Sequence, residues 1–192
     1  RVCLALLILI SGLRYRIGVD TIRYEPHFQE LQELDRISPL LTIDGNPLFW
    51  LVASFVKTIG GNYVIFQLLH ALFVNTVVCW FIKSNTKNVF TGIIFYYIAL
   101  YLNFNCEVMK ESSAVCMFLI GLSFYKKKEW LKYLACIIIS CLFHPSALVL
   151  IPLFIIQYLR ISKLLRVNLI SLMVFVSIII FAAIFQDMIF SY

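Results

Sequence analysis

The stretch YVIFQLLHALFVNTVVCWFI, residues 63–82, decides the fold class of this chain. It has the length of roughly 20 apolar residues that an α-helix needs to cross a bilayer, and the basic residues Lys83 and Lys87 follow it. Of the 192 residues, 62% are hydrophobic and 14% are charged, whereas soluble domains carry about 25% charged residues. So few charges would not cover a soluble surface, and the sequence therefore predicts an all-α, polytopic transmembrane helix bundle.

Apolar runs on both sides of this stretch predict the rest of the bundle. Six crossings are expected after the first loop, at residues 63–82, 89–104, 114–125, 130–143, 146–159 and 167–185. The run 47–59 is short, carries Lys57 and ends at Gly60-Gly61, which favours a re-entrant or interfacial helix. The run 2–13 is also too short to cross a bilayer. We therefore expect residues 1–192 to be a single integral membrane domain, truncated at the N-terminus and at the C-terminus.

The charged residues between the apolar runs indicate which side each loop occupies. With the loop 83–88 in the cytoplasm, the inner loops collect the basic residues Lys83, Lys87, Lys126, Lys127, Lys128, Lys132, Arg160, Lys163 and Arg166. This distribution satisfies the positive-inside rule. It explains the net charge of +6 by orientation and by contact with anionic headgroups, so the expected partner is the lipid bilayer and not a nucleic acid.

The outer face then carries one sizeable loop, residues 14–46, together with the segment 103–113 and the His144-Pro145 turn. Within the loop, residues 26–35 predict a short amphipathic helix with Phe28, Leu31 and Leu34 on its apolar side. In an alternative topology, residues 131–156 form one long tilted helix through the turn, since proline is tolerated in membrane helices. The charge rule favours the first topology.

Three polar groups on the predicted outer face are candidates for chemistry. The first contains Arg14, Arg16 and Arg23, whose guanidinium groups can bind a pyrophosphate through two hydrogen bonds each. The alternative is that these arginines anchor a helix end in the headgroups and pair with Asp20 and Glu25.

The second group is Glu107, Lys110 and Glu111, placed where a helix is expected to start inward. If the stretch is helical, Glu107 and Lys110 share one face, and Lys110 lies near a helix N-terminus that also favours phosphate. The alternative is a salt-bridged helix start. The third group is the lone His144, which can bind a phosphate, move a proton near neutral pH, or only cap a helix.

Cysteine usage gives no sign of a metal site. The six cysteines lie mostly inside apolar runs, where a free cysteine behaves as a small hydrophobic residue. No CxxC spacing and no histidine-paired metal spacing occurs in the sequence. We therefore expect neither a metal ion nor a cofactor.

Four short motifs follow one another at a characteristic spacing. They are Arg16-Ile17-Gly18-Val19-Asp20-Thr21 with Tyr24 and Phe28 beyond it, Asn46-Pro47-Leu48-Phe49-Trp50, Met109-Lys110-Glu111-Ser112-Ser113-Ala114 and Phe143-His144-Pro145-Ser146-Ala147-Leu148. In this pattern the chain resembles the EpsG-like polymerases of bacterial exopolysaccharide and O-antigen synthesis, within the broader Wzy-type group. Members usually have Met-Arg-Gln where this chain has Lys110 and Glu111, and a lysine keeps the charge but lacks the planar fork.

The resemblance implies a metal-independent, multi-pass glycosyltransferase of the bacterial cytoplasmic (inner) membrane. It would join oligosaccharide repeat units carried on undecaprenyl pyrophosphate at the outer face, with flippase and chain-length regulator proteins as possible partners. In this interpretation the lipid pyrophosphate is bound by Arg14, Arg16, Arg23 and Lys110. The candidates for catalytic proton transfer are Asp20, His144 and Glu107. The residues expected to contact sugars are Tyr15, Tyr24 and Trp50.

Two other functions fit the same pattern. A flippase or transporter of lipid-linked oligosaccharide also needs a basic outer vestibule, although the repeated halves with paired broken helices that are common in transporters are not visible. An O-antigen ligase, which transfers a finished glycan to another acceptor, shares the chemistry of a polymerase. A membrane scaffold without activity is the remaining alternative.

Overall fold

A computed structural model of the protein describes residues 2–31, 45–151 and 172, without the side chains of Val19 and Asp20. The all-α prediction is confirmed for these residues, which contain helices and no β-strand. The α-helices are α1 (Val2–Gly12), α2 (Val19–Glu30), α3 (Pro47–Thr58), α4 (Tyr63–Asn85), α5 (Val89–Tyr96), α6 (Met109–Lys126) and α7 (Trp130–Phe143). Two π-helical turns, Tyr97–Tyr101 and Asn103–Glu107, follow α5, and a 3₁₀ helix covers Pro145–Leu150.

One helix of the described residues, α4, is long and apolar enough to cross a bilayer, with 23 residues. Helices α1, α3, α7 and the segment Val89–Tyr101 are apolar but shorter. The polytopic arrangement therefore stays a prediction. Of the two last expected crossings, the structure describes only residues 146–151 of the run 146–159 and only residue 172 of the run 167–185.

Local sequence explains where α3 and α4 begin and end. Pro47 occupies the first turn of α3, where its missing N–H costs nothing. The helix ends at Thr58, and the chain turns away at Gly60, whose φ of 79° favours glycine. The Gly61 N–H donates to the Val56 carbonyl at 2.8 Å. The Asn62 side chain then caps α4 by accepting from the Ile65 N–H at 3.0 Å. The predicted short helix before Gly60-Gly61 is thus confirmed in its length.

Helix α4 packs against α1 and α6, and α6 packs against α7. At one end of the bundle, the Lys126 ammonium at the end of α6 donates to the Asn85 side chain at the end of α4. At the other end, His70 near the start of α4 contacts Ser112 in the first turns of α6. Helices α4 and α6 are therefore parallel, and we call these two ends the lysine end and the polar end.

The compact unit that contains both ends covers Arg1–Ala147, and a second unit covers Leu148–Tyr192. Only residues 148–151 and 172 of the second unit are described. The prediction of a single membrane domain over residues 1–192 stays a prediction.

A buried polar network inside the first unit fixes the segment that leads into α6. The Asn75 amide donates to Asn105 Oδ1 at 3.0 Å and accepts from the Tyr96 hydroxyl at 3.0 Å. The Tyr101 hydroxyl donates to the Leu7 carbonyl at 2.6 Å. Because buried polar groups need internal partners, this network holds the π-helical turns at a set position against α1 and α4.

Three local expectations are corrected by the structure. The amphipathic helix expected at 26–35 is part of α2, which starts at Val19 and ends at Glu30; Phe28 and Leu31 are buried as expected, and Leu34 lies outside the described residues. Glu107 and Lys110 do not share a helix face, because Val108 breaks the helix with φ −131° and ψ 56°. A continuous helix over 131–156 is wrong, because α7 ends at Phe143 and His144 is extended.

Candidate functional site

Lys110 is the second residue of α6 and is buried at the polar end, with 6% of its surface exposed. Its Nζ lies over the rings of Tyr24 at 4.7 Å, Trp50 at 5.0 Å and Phe49 at 5.7 Å. We call these three rings the aromatic cage. Each distance is within the roughly 6 Å over which an aromatic ring attracts a cation, an interaction worth about 2 kcal/mol when water is excluded.

The aromatic cage is built by the packing of α2 on α3. Ring centroids are 5.4 Å apart for Tyr24 and Phe49, 5.6 Å for Tyr24 and Trp50, and 5.3 Å for Phe49 and Trp50. The rings meet at tilted or edge-on angles, which aromatic quadrupoles prefer. All three side chains are buried, so the cage is a rigid part of the core and not a loose surface feature.

Arg14 leaves the end of α1 and is also 6% exposed. Its guanidinium group donates to the Ser11 carbonyl at 2.5 Å, to Thr21 Oγ1 at 3.2 Å and to Met109 Sδ at 3.2 Å. Since Met109 directly precedes Lys110 in the chain, Arg14 contacts the neighbouring residue of the second buried cation. The structure thus brings together one arginine of the first candidate group and the lysine of the second.

A close backbone approach holds the Arg14–Gly18 turn against the rest of the site. Gly18 has a φ of 92°, and a Cβ atom at this position would lie 2.3 Å from the Cys106 carbonyl oxygen. Only glycine allows this conformation and this contact. The turn therefore rests on the π-helical segment that leads into α6.

Arg16 and Arg23 differ from Arg14 because both are exposed. The Arg16 Nε lies 3.2 Å from the Glu25 carboxylate, so the alternative pairing of an arginine with Glu25 is confirmed for Arg16. Arg16 also has an unusual left-handed backbone, with a φ of 49°, and its guanidinium lies 5.7 Å from the ring of the exposed Tyr15. In the chain, Arg16 lies two residues after the buried Arg14, and Arg23 directly precedes the buried Tyr24.

The third candidate group forms a hydrogen-bonded chain with a residue of the second. His144 Nε2 lies 3.2 Å from Glu111 Oε1, and His144 Nδ1 lies 2.7 Å from Ser146 Oγ. The Ser146 backbone N–H also points at Nδ1, at 3.3 Å. Because an N–H only donates, Nδ1 accepts, and Nε2 therefore carries the proton that Glu111 accepts. His144 precedes the 3₁₀ helix, and its carbonyl accepts from the Ala147 N–H at 3.2 Å.

His70 is a buried polar residue of the site that the sequence interpretation missed. Its Nε2 lies 3.1 Å from the Met109 carbonyl and 3.2 Å from Ser112 Oγ, so His70 of α4 holds the first turn of α6 in place. The signal was present in the sequence, since an ionisable residue inside a long apolar run is a functional candidate by default. Glu111 belongs to the second candidate group, but the sequence predicts no catalytic role for it.

The remaining predicted residues are placed as follows. Glu107 is exposed at the end of the second π-helical turn, and the side chain of Asp20 lies outside the described residues. Tyr24 and Trp50, expected to contact sugars, are buried around Lys110, so a sugar would reach them only if the aromatic cage opened. Within residues 2–31 and 45–151, no cluster of three or more histidine, cysteine, aspartate or glutamate side chains could hold a metal ion.

The described groups create an electropositive site at a helix start. The first turn of α6 directs its backbone N–H groups towards the polar end. Lys110 belongs to this turn and Arg14 contacts it through Met109. Glu111, the residue after Lys110, pairs with His144. Such a site can bind an anion and hold a proton acceptor close to it.

No curated protein and no solved structure matches the chain. The model of one protein family, described as the EpsG family, matches residues 1–192. The match extends over the whole chain. This protein therefore belongs to the EpsG family, a family of Wzy-like exopolysaccharide polymerases.

Proposed function

We propose that this protein is a membrane glycosyltransferase that joins oligosaccharide repeat units carried on undecaprenyl pyrophosphate into exopolysaccharide, capsule or O-antigen. Its family supports a polymerase-type function and membrane association. The main support for the proposal is that two cations, Arg14 and Lys110, and a proton-accepting pair, Glu111 and His144, all lie at the first turn of α6. A lipid-linked pyrophosphate and a reacting sugar hydroxyl need these two kinds of group side by side.

The proposed orientation places the polar end at the outer face of the cytoplasmic membrane. The lysine end carries Lys126, Lys127, Lys128 and Lys132, next to the end of α4. Basic residues concentrate on the cytoplasmic side of membrane proteins. The apolar surface of the Val89–Tyr101 segment, with Phe95 and Ile98 exposed, suits contact with acyl chains.

In the proposed reaction, the hydroxyl oxygen of the incoming unit bonds to the anomeric carbon of the growing glycan. The bond between that carbon and the pyrophosphate oxygen breaks, and the pyrophosphate leaves with the electron pair. The hydroxyl proton passes to a base of the protein. The protein must therefore position the two sugars and stabilise the charge that develops on the leaving pyrophosphate.

Arg14 and Lys110 are the proposed pyrophosphate ligands. Arg14 is fixed in advance by three hydrogen bonds, so little reorganisation is needed when charge develops nearby. Lys110 has a flexible stem and can turn from the aromatic cage towards an anion. Arg16 and Arg23, at the exposed mouth, would attract the lipid-linked substrate by charge.

His144 is the favoured proton acceptor, with Glu111 as the residue that positions it. Glu111 holds the proton on Nε2 and leaves the lone pair of Nδ1 as the base. An acceptor hydroxyl would reach Nδ1 in the place of the Ser146 hydroxyl or through it. Asp20 and Glu107 remain the other candidates for this role.

The test is polymerisation in vitro with defined lipid-linked repeat units and the purified protein, with chain length read on gels. His144→Gln should remove polymer while the protein still binds the lipid-linked unit. Lys132→Met, at the lysine end, is the matched surface control and should polymerise normally. Polymer of normal length from His144→Gln would remove His144 from the mechanism.

A deletion strain separates the alternative functions. Single repeat units that accumulate outside the membrane support a polymerase, whereas unflipped units inside it support a flippase. Loss of all attachment of glycan to its acceptor supports a ligase.

A further inference from the structure

A partly open cavity of about 250 Å³ lies beside the aromatic cage, between α3, α4, α6 and α7. Aromatic and aliphatic side chains form most of its wall, including Val52 of α3 and Phe143 of α7. Leu69 also lines it and is exposed on the bundle surface, so the cavity reaches that surface. The mechanism proposed above gives this cavity no role.

The cavity shares its wall with the cation site. The Phe49 ring lies 5.7 Å from Lys110 Nζ and also lines the cavity. His70 lines the cavity as well, and its Nε2 donates to the carbonyl of Met109, whose sulfur contacts Arg14. An anionic group at the cations and an apolar chain in the cavity would therefore be neighbours, as in the head and tail of one amphiphile.

We propose that this cavity binds the first isoprene units of a polyprenyl chain whose pyrophosphate is held by Arg14 and Lys110. The proposal rests on the proposed function, which supplies a polyprenyl pyrophosphate as substrate. An apolar cavity of about 150 Å³ holds benzene. In proportion, a cavity of about 250 Å³ holds roughly ten carbon atoms, or two isoprene units.

The role of this site is to position the substrate more than to add affinity. A polyprenyl chain that enters from the bilayer leaves one apolar environment for another, so the hydrophobic effect changes little. Seating its first units beside Phe49 fixes how far the pyrophosphate reaches and so places the reacting bond at the cations. A short isoprenoid that comes from water gains affinity in addition, because its carbons leave water.

The test uses the protein in phosphatidylcholine nanodiscs and compares equilibrium binding of geranyl pyrophosphate, which has ten carbons, with that of inorganic pyrophosphate. We expect geranyl pyrophosphate to bind at least about tenfold more tightly. Val52→Phe fills the cavity and should abolish this preference while pyrophosphate still binds. Val64→Phe, at an exposed position of α4 outside the cavity, is the matched control and should keep it.

A second variant guards against misfolding of Val52→Phe. Ser113 lines the cavity, and its hydroxyl donates to the Met109 carbonyl within α6. Ser113→Leu therefore fills the cavity and removes only a hydrogen bond inside one helix. Wild-type affinity for geranyl pyrophosphate in both cavity variants would overturn the proposal. So would displacement by dioleoyl phosphatidic acid as effective as displacement by undecaprenyl phosphate, because the cavity would then be a general lipid site.

The outcomes also separate this inference from the proposed function. If the cavity variants lose the isoprenoid preference but the wild type makes no polymer, the lipid site stands and the proposed reaction fails. If the wild type makes polymer and the cavity variants bind isoprenoid normally, the reaction stands and the lipid site fails.

Discussion

Replacing Lys110 by methionine tests the centre of the proposed site, because methionine keeps an unbranched apolar stem and removes the charge. In the folded protein, the variant loses the attraction between the lysine charge and the three rings, of which the Tyr24 ring, at 4.7 Å, is nearest to Nζ. This attraction is worth about 2 kcal/mol. It also loses the cost of burying a charge, which amounts to several kcal/mol per ion. The two changes oppose each other, so we expect the free energy of unfolding to change by no more than about 2 kcal/mol.

The effect of Lys110→Met on the reaction should be much larger. Removing one group that stabilises developing negative charge lowers kcat by about 100-fold to 1000-fold in enzymes. We therefore expect the rate of polymerisation in vitro to fall by about 100-fold, while the melting temperature stays near that of the wild type. Lys110→Arg keeps a cation that can lie over aromatic faces and should retain most of the activity.

Lys132→Met is the matched control, since it makes the same substitution on an exposed lysine at the lysine end. Lys132 pairs with Glu129 and lies 5.6 Å from the Phe124 ring. It should leave the rate unchanged, because exposed ion pairs contribute about 1 kcal/mol or less. A Lys110→Met protein that polymerises as fast as Lys132→Met would refute the assignment of Lys110 as a pyrophosphate ligand.

Three further predictions test other parts of the structure. Arg16→Ala should abolish polymer while single repeat units still reach the cell surface, and a normal pattern of polymer lengths would exclude Arg16 from the mechanism. Gly18→Ala should lower the Tm far more than Gly60→Ala, because both glycines have a positive φ but only Gly18 faces a backbone carbonyl; equal shifts would contradict the close approach. The hydrogen bond from Lys132 holds the pKa of Glu129 below its ordinary value of 4.5, so its stabilisation is present above that pH and is lost as the pH falls through the lowered pKa. Glu129→Gln should therefore lower the Tm slightly at pH 7, and this difference should shrink towards pH 3.

The sequence predicted the elements that depend on local pattern. The apolar run 63–82 forms most of α4, and the short run before Gly60-Gly61 forms α3. Both could be predicted because the length of an apolar run, its capping residues and its glycines can be read from a few neighbouring positions. It also placed the arginine, lysine and histidine motifs on one face. The Arg14–Met109 and Glu111–His144 contacts agree with that placement.

The parts that were missed depend on which apolar side chain faces which neighbour. Trp50 is one aromatic residue among many in a chain with 16% aromatic residues, and nothing local distinguishes a ring that surrounds a lysine from one that faces lipid. The helix break at Val108 could not be predicted from the local sequence, because no glycine or proline lies near it. The turn before it is held by a residue far away in the chain, through the hydrogen bond from Asn75 to Asn105.

The departure of this chain from the usual Met-Arg-Gln motif also gains a physical meaning. An arginine fork is most useful where several acceptors lie in its plane, whereas a lysine Nζ is a compact charge that three ring faces can surround. With Lys110 held in that way, the fixed guanidinium of the site is that of Arg14, which three hydrogen bonds hold in place. Glu111 adds a carboxylate where an amide is usual, and that carboxylate lies against His144. In the proposed mechanism, the two neighbouring differences shift pyrophosphate recognition towards Arg14 and give the histidine a charged partner. Arg14 is then the rigid cation, and Lys110 is the one that can move.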